Sequence, residues 1–264
     1  MKRYIKLYFS YMKRSLISKM EYKKDTFIAM MGFLIENAAA IASIYFIIRA
    51  IPSLEGWNIY QIGFLYGFTM LPRGIDHLLT DELWLIAYRK VKSGELDQYF
   101  LRPLRVLFQV LAETFQADAF GELIVGTVML IFCGIQTNVV FTFPLVMLFI
   151  VASIFGAMII TSLKIAISSL AFVFKSCGPT LQIIYNFLDY VKYPIKIFPL
   201  VIQSILVFLI PFGLFISLPV ESLYFGTYNP YLLMGLIIVV AIIMLTISII
   251  IWNALERRYE STGS

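Results

Sequence analysis

Long apolar runs separated by short polar breaks fill most of this chain. They cover residues 27–48, 58–79, 106–135, 141–174, 180–198 and 231–254. A helix needs about 20 predominantly apolar residues to cross the hydrocarbon core of a bilayer. Each run is close to that length or longer. The pattern therefore predicts an all-α membrane protein with six transmembrane helices, in a single domain over residues 1–264.

A seventh apolar stretch, residues 200–217, is interrupted by Pro211 and Gly213. Basic residues decide how it is counted, because they cluster in the first tail, in the 80–105 loop and after the last run. Cytoplasmic loops of membrane proteins carry such an excess of Lys and Arg. Both termini are therefore expected in the cytoplasm, which requires an even number of spans. Residues 200–217 are then predicted to be a re-entrant pair of half-helices that lines a path on the external side.

The first 25 residues are basic, and their apolar positions recur every three or four residues. Ile5, Phe9, Met12 and Leu16 share one helical face, while lysines occupy the others. Residues 1–25 therefore predict an amphipathic helix, either on an anionic membrane surface or packed on its own protein. The following apolar run is longer than the core of a signal peptide, so we expect a retained helix.

Composition excludes a soluble protein and points to the lipid bilayer as the main partner. The chain is 60% hydrophobic and 14% charged, with a mean hydropathy of +0.86, whereas soluble domains carry roughly 25% charge. The net charge of +5 is attributed to topology, and no nucleic-acid partner is expected. Cys133 and Cys177 are predicted on opposite membrane faces, without a disulfide. Two distant cysteines and the single His77 predict no metal site.

One polar stretch, residues 92–104 (KSGELDQYFLRPL), has the features of a short helix. Ser93 is a suitable cap, and acidic residues follow where the helix dipole favours them. Leu96 and Phe100 are four residues apart and predict one apolar face, and Pro103 predicts the helix end. A helix of about two turns is marginal in water, so it needs a surface to dock on. That surface belongs either to a partner or to the chain itself.

The same run resembles a signature of bacterial type-2 ABC transporter permeases. The likeness continues at Tyr193-Pro194-Ile195-x-Ile197-Phe198-Pro199, at Ile210-Pro211-Phe212 and in the tail from Arg257 to Ser264. The blocks keep their order from end to end. One departure is Phe100-Leu101-Arg102, where the family has a more uniformly aliphatic run.

The resemblance implies the layout already predicted from charge, in the cytoplasmic membrane of a bacterial cell. It also implies an amphipathic N-terminal helix, a cytoplasmic coupling helix between spans two and three, and external half-helices before the last span. The implied partners are a cytoplasmic ABC ATPase dimer and a second permease, identical or paralogous. In the family the coupling helix sits in a groove of the ATPase. The residues that carry this role over are Gly94, Glu95, Leu96, Asp97, Tyr99, Phe100, Arg102 and Pro103.

The chain has no phosphate-binding loop of the G-x-x-x-x-G-K-[ST] type. Gly121 and Gly126 have the right spacing, but Thr127 stands in place of the lysine. We therefore expect no catalytic residues and no cofactor on this chain, with ATP and Mg²⁺ bound by the partner ATPase.

Ionisable residues inside apolar runs are functional candidates, because they are expensive to place in a membrane. They are Glu36, Asp118, Glu122, Lys164 and Asp189. Such residues contact substrate, or they pair with one another or with a neighbouring subunit. The predicted substrate path comprises Glu36, Asn37, Asp118, Pro211 and Phe212.

The predicted function is a permease that moves an amphiphilic substrate (a drug, peptide or lipid-like molecule) out of the cytoplasm. A second hypothesis is a proton-coupled secondary transporter that uses Glu36 or Asp118 as the carrier. A third is a non-transporting membrane partner or an intramembrane enzyme, which the lack of a catalytic constellation disfavours. Gly63 and Gly67 permit close helix approach, within the subunit or in a dimer.

Overall fold

A computed structural model of the chain describes residues 2–21, 56–116 and 119–261, with isolated helical positions between 28 and 46. These described residues form helices and no β-strand, as the all-α prediction requires. Most of the predicted first span lies outside them, as do Glu36, Asn37 and Asp118.

The helices are numbered here in chain order. They are α1 (Lys2–Glu21), α2 (Ile59–Thr80), α3 (Glu82–Leu85, continued by a π-helix over Ile86–Lys90), α4 (Asp97–Phe100), α5 (Val106–Glu113), α6 (Phe120–Gln136), α7 (Phe143–Ser169), α8 (Ala171–Phe174), α9 (Gly178–Tyr190), α10 (Leu200–Ser204, continued by a π-helix over Ile205–Leu209), α11 (Phe212–Phe215), α12 (Ser217–Phe225) and α13 (Pro230–Glu256).

Helix α1 lies inside the 1–25 interval predicted to be an amphipathic helix. Lys6, Lys13 and Arg14 are exposed on it. The ring of Tyr4 packs edge-to-face on Phe108 of α5, with 4.8 Å between the ring centroids. The helix therefore contacts its own protein, while a position on the membrane surface stays a prediction.

The centre of the described structure is a bundle in which α2 packs on α6 and α7, and α7 packs on α13. The capping box of Asn58 and Gln61 starts α2 by satisfying two backbone N–H groups. A Cβ on Gly67 would lie 3.0 Å from the carbonyl oxygen of Gly126. The Gly63-x-x-x-Gly67 spacing thus serves helix packing within the chain.

Two of the described helical segments are long and apolar enough to cross a membrane. They are Phe143–Phe174, with 32 residues, and Pro230–Glu256, with 27 residues. Helix α2 has 22 residues and matches the predicted run at 58–79. The six-span count therefore stays a prediction, with two clear spans in the structure.

Two predicted spans differ from the structure. Residues 106–135 contain two separate helices, α5 and α6, instead of one. The run at 180–198 is helical only as far as Tyr190, where the 13-residue helix α9 that begins at Gly178 ends, before Pro194. At about 1.5 Å per residue this helix is only about 20 Å long. Pro194 precedes a short 3₁₀ turn over Ile195–Ile197 and does not kink a longer helix.

The broken stretch at 200–217 is a helical hairpin. Helix α10 ends before Pro211, and α11 and α12 continue the second arm to Phe225. A Cβ on Gly213 would lie 3.1 Å from the carbonyl oxygen of Leu206. In a continuous helix, residues seven apart are about 10 Å apart along the axis. The chain therefore turns sharply at Pro211, while a re-entrant arrangement and its depth in a membrane stay predictions.

The start of α2 is surrounded by rings, which we call the aromatic cluster: Trp57, Phe64, Phe68, Phe149 and Tyr224. Phe68 and Phe149 are 4.7 Å apart, and Phe64 lies 5.6 Å from both Phe149 and Tyr224. Edge-to-face geometry dominates these contacts, as ring quadrupoles favour. The cluster joins α2, α7 and α12.

Candidate functional site

The 94–104 segment begins with a turn at Gly94, whose φ is +75°. This left-handed conformation suits glycine because it has no Cβ. Two residues later, the Leu96 N–H donates to the Lys90 carbonyl oxygen at 3.1 Å, and the Leu96 side chain is fully buried. The turn thereby anchors the start of the segment in the core.

The helix in this segment is shorter than the sequence predicts. It is the four-residue α4, whose N-cap is Leu96 and which has no side-chain cap. Ser93 Oγ instead donates to Glu95 Oε1 at 2.9 Å. The predicted two-turn helix capped by Ser93 is wrong. The left-handed backbone of Gly94 prevents a helix from starting at Ser93, so the helix starts only at Asp97.

Tyr99 is the buried centre of the segment. Its hydroxyl accepts a hydrogen bond from Lys90 Nζ and donates one to Glu113. Lys90 also forms ion pairs with Glu82 and, at 3.4 Å, with Glu113. Burial, together with the Glu113 carboxylate, raises the pKa of Tyr99, so the hydroxyl stays protonated. The segment is therefore tied to both α3 and α5.

A side-chain amide closes the far end of the segment. Gln109 Nε2 donates to the carbonyl oxygens of Tyr99, at 2.8 Å, and Leu104, at 2.9 Å. Gln109 is a buried residue of α5, so these two hydrogen bonds attach the backbone of the segment to that helix.

The C-terminal tail fastens the same segment from another direction. Tyr259 Oη donates to Asp97 Oδ1 at 2.8 Å, and Ser261 Oγ donates to Asp97 Oδ2 at 2.6 Å. The Phe100 ring stacks on Tyr259 with 5.2 Å between centroids. The hydroxyls of Ser261 and Tyr259 hold the pKa of Asp97 below its usual range. Burial and the Asp97 carboxylate raise the pKa of Tyr259 to about 12.

The predicted coupling residues thus divide into an inner and an outer set. Leu96 and Tyr99 are buried, and Asp97 holds the tail. Glu95 pairs with Arg89 at 3.2 Å. Phe100, Arg102 and Pro103 are exposed. The predicted single face of Leu96 and Phe100 is wrong, because one points inward while the other stacks on the tail.

The most exposed apolar side chain of the segment is one that sequence reasoning did not single out. Leu101 is 85% exposed, and its neighbour Phe100 is 44% exposed. We call these two residues the outer knob. An exposed leucine by itself is ordinary. Because α3, α5 and the tail hold the segment, Leu101 presents its apolar side chain at a fixed position.

A second polar cluster lies at the end of α2. Lys164 Nζ is fully buried and lies 2.8 Å from Asp76 Oδ2 and 3.1 Å from Asp81 Oδ1. Thr80, Thr161 and Tyr185 all donate hydrogen bonds to Asp76. The cluster therefore ties α2 to α7 and α9.

Three side chains in this cluster have the composition of a metal site. Asp76, His77 and Asp81 place one ligand atom each within 4.8 Å of one another. The Lys164 ammonium lies between the two carboxylates, where a bound cation would need to be. The cluster is therefore an ion-pair site, and a metal would have to displace Lys164.

The other ionisable candidates that the structure describes also have partners within the chain. Glu122 Oε1 lies 3.0 Å from His77 Nδ1 and 3.7 Å from Arg73 Nε. Asp189 pairs with Lys192 at 3.3 Å. For Glu122, Lys164 and Asp189 the geometry supports pairing.

The described part of the predicted substrate path lies in the hairpin turn. Pro211 and Phe212 are buried there.

Sequence reasoning did not find an apolar cavity of about 380 Å³ between α2, α6 and α7, which is lined by Phe64, Leu130, Phe141 and Ile154 among others. The substrate path stays a prediction.

Comparison with known proteins covers nearly the whole chain. A family model described as ABC-2 family transporter protein matches residues 34–263. This range includes α2, the 94–104 segment, the hairpin and the tail that binds Asp97. A search of the curated proteins found no match.

Proposed function

The chain belongs to the ABC-2 family of transporter proteins, and we propose that it is the permease subunit of an ATP-driven exporter. Two permease chains, identical or paralogous, enclose a path for an amphiphilic substrate such as a drug, peptide or lipid-like molecule. A separate ABC ATPase dimer binds ATP and Mg²⁺ in the cytoplasm. The permease lies in the bacterial cell membrane with both termini on the ATPase side.

The outer knob is the observation that supports this proposal. Leu101 is 85% exposed beside the charged Arg102, on a segment whose inner side chains are buried. Protein interfaces bury an apolar centre inside a polar rim, and Leu101 beside Arg102 has this arrangement. We assign the knob to a groove of the ATPase.

The way the segment is held explains how movement of the knob reaches the membrane helices. Tyr99 connects it to α3 and α5 through Lys90 and Glu113. Asp97 connects it to the tail that follows α13. A displacement of the knob by the ATPase therefore moves these helices as rigid bodies, in the manner of other switching proteins.

Leu101→Glu, in the full chain co-produced with an ABC ATPase from the same gene neighbourhood, tests the proposal. We expect loss of co-purification and of ATPase stimulation, because a carboxylate in an apolar groove is left unpaired. Val140→Glu is the matched control, since Val140 is 77% exposed in the α6–α7 connection. It should leave both readouts unchanged.

Two results would contradict the proposal. One is a Leu101→Glu variant that co-purifies with the ATPase and stimulates it like the unmodified chain. The other is transport by the isolated chain under a pH gradient, which indicates the proton-coupled alternative. Charge reversal at Glu95 or Asp97 is a poorer test, because these carboxylates bind Arg89 and the tail.

A further inference from the structure

A cavity of about 550 Å³ lies between α5 and the end of α13. It is next to the 94–104 segment, because Arg105 follows that segment directly. Its lining is of two kinds. Arg105, Asn253, Glu256 and Arg257 are polar, while Phe108, Leu111 and Ile249 provide an apolar wall.

The polar part of the cavity carries net positive charge. Arg105 and Arg257 are exposed cations, and Glu256 is the one carboxylate in the lining. Glu256 Oε2 accepts a hydrogen bond from Trp252 Nε1 at 2.8 Å, and its charge interacts with Arg105. Two cations and one anion leave the cavity with an excess positive charge. The positive end of the α5 dipole adds to it.

The position of the cavity matches the headgroup level of a membrane. Ile249 belongs to α13, one of the two helices able to cross a bilayer, and Arg257 follows its last turn. Helix α1 packs beside the cavity through Tyr4 and Phe108. The same helix carries the exposed Lys6 and Lys13, and basic groups near a membrane surface attract anionic lipids.

We propose that this cavity binds an anionic phospholipid. The lipid phosphate lies against Arg105 and Arg257, since a guanidinium can bind two phosphate oxygens at once. One acyl chain follows the wall of Phe108, Leu111 and Ile249. A zwitterionic lipid binds more weakly, because its own cation meets the arginines. The bound lipid connects the base of the 94–104 segment to the start of the tail.

Binding of the lipid does not depend on the proposed function. Only an influence of the bound lipid on contact between the outer knob and the ATPase would rest on that function. The test therefore measures binding to the full-length permease alone, without an ATPase. Loss of coupling to the ATPase and loss of lipid binding can then be told apart.

The detergent-purified chain is titrated with phosphatidylglycerol or phosphatidylcholine. Native mass spectrometry then measures how much of each lipid stays bound. We expect preferential retention of phosphatidylglycerol. Each arginine near a membrane surface is worth about fivefold in affinity, so the double variant Arg105→Gln/Arg257→Gln should weaken binding about 25-fold. Arg258→Gln is the control for the loss of one such charge, because Arg258 is the next exposed residue and lies outside the cavity lining.

Three results would overturn the proposal. They are equal retention of the two lipids, an unchanged affinity in the double variant, and an equal loss in Arg258→Gln. Glycerol phosphate, which has the headgroup without acyl chains, separates a lipid site from a free phosphate site. Binding of glycerol phosphate as tight as that of phosphatidylglycerol would also overturn the lipid assignment, and we expect none at the same concentration.

Discussion

Helix α2 connects two regions that are built in opposite ways. Its start lies in the aromatic cluster, where Phe64 and Phe68 pack on Phe149 and neighbouring rings. Its end lies among ion pairs, where Asp76 binds the buried Lys164. Ring contacts are broad and tolerate small shifts, whereas buried ion pairs lose much of their stabilisation when one partner moves. The polar end of α2 should therefore tolerate less displacement of its side chains than the aromatic end does.

The largest expected effect is a loss of folding stability, and it differs between the two ends of α2. Lys164→Met removes the cation from the buried Asp76 and the partly buried Asp81, which should lower the free energy of unfolding by about 3–5 kcal/mol. Phe149→Leu in the aromatic cluster keeps a smaller apolar side chain there and should cost less, about 1–2 kcal/mol. Denaturant unfolding in detergent gives both values.

Lys192→Met controls for the loss of a lysine as such. Its partner Asp189 is 57% exposed, so the loss should stay within about 1 kcal/mol. Equal costs for Lys164→Met and Phe149→Leu would break the comparison between the two ends.

The middle of α2 tests packing without charge. In Gly126→Ala the new Cβ would lie 2.8 Å from the carbonyl oxygen of Gly67. Backbone cannot easily give way, so we expect a loss of about 1–3 kcal/mol in the free energy of unfolding. Gly235→Ala in α13 is the control, because a Cβ there meets nothing within 4 Å. That variant should be neutral or slightly more stable, and a similar loss in both would contradict the close α2–α6 contact.

A smaller loss is expected from the hydroxyl of Tyr99. Tyr99→Phe removes the group between Lys90 and Glu113, which still face each other at 3.4 Å. The free energy of unfolding should fall by about 1 kcal/mol. Tyr88→Phe, on a ring that is 45% exposed, should change it little. Indistinguishable melting curves for the two variants would show that the Tyr99 hydroxyl does not stabilise the fold.

The smallest effect is the pH response of the tail. The pKa of Asp97 is lowered by hydrogen bonds from Ser261 and Tyr259. The tail contact is therefore complete above the usual aspartate pKa of about 3.9, and it weakens as the pH falls through the lowered value. Hydrogen exchange of residues 257–261, corrected for its intrinsic pH dependence, should show this loss of protection. Asp97→Asn should give a flat profile, and a pH response retained in that variant would exclude Asp97 as its origin.

The sequence predicts the long apolar helices, because a continuous apolar run is visible in the local composition. The run at 58–79 corresponds to α2, and the run at 231–254 corresponds to α13. The prediction of a helix over the whole run at 180–198 is wrong, because the average hydropathy of a run does not indicate where a helix ends. Helix α9 ends at Tyr190, among Asp189 and Lys192, well before the proline.

The site is predictable as a segment but not residue by residue. Gly94, Leu96 and Pro103 mark a short structured element in the sequence. Which side chains face outward depends on the tail, and Tyr259 contacts Asp97 across 162 residues of chain. No periodicity within 92–104 contains that information. The partners of Lys164 are hidden for the same reason, since Asp76 is on another helix.

The Asp76–Lys164 pair also has a consequence for how the chain assembles. A purely apolar seam between α2 and α7 would allow one helix to turn by a residue or slide by a turn at modest cost. A lone ammonium that must meet two carboxylates permits one alignment, as buried polar residues do when they set the register of coiled coils. Because α2 is synthesised first, its carboxylates are already in place when α7 arrives. We therefore expect Lys164 to set which helix α7 packs on, and at which height, as the chain inserts into the membrane.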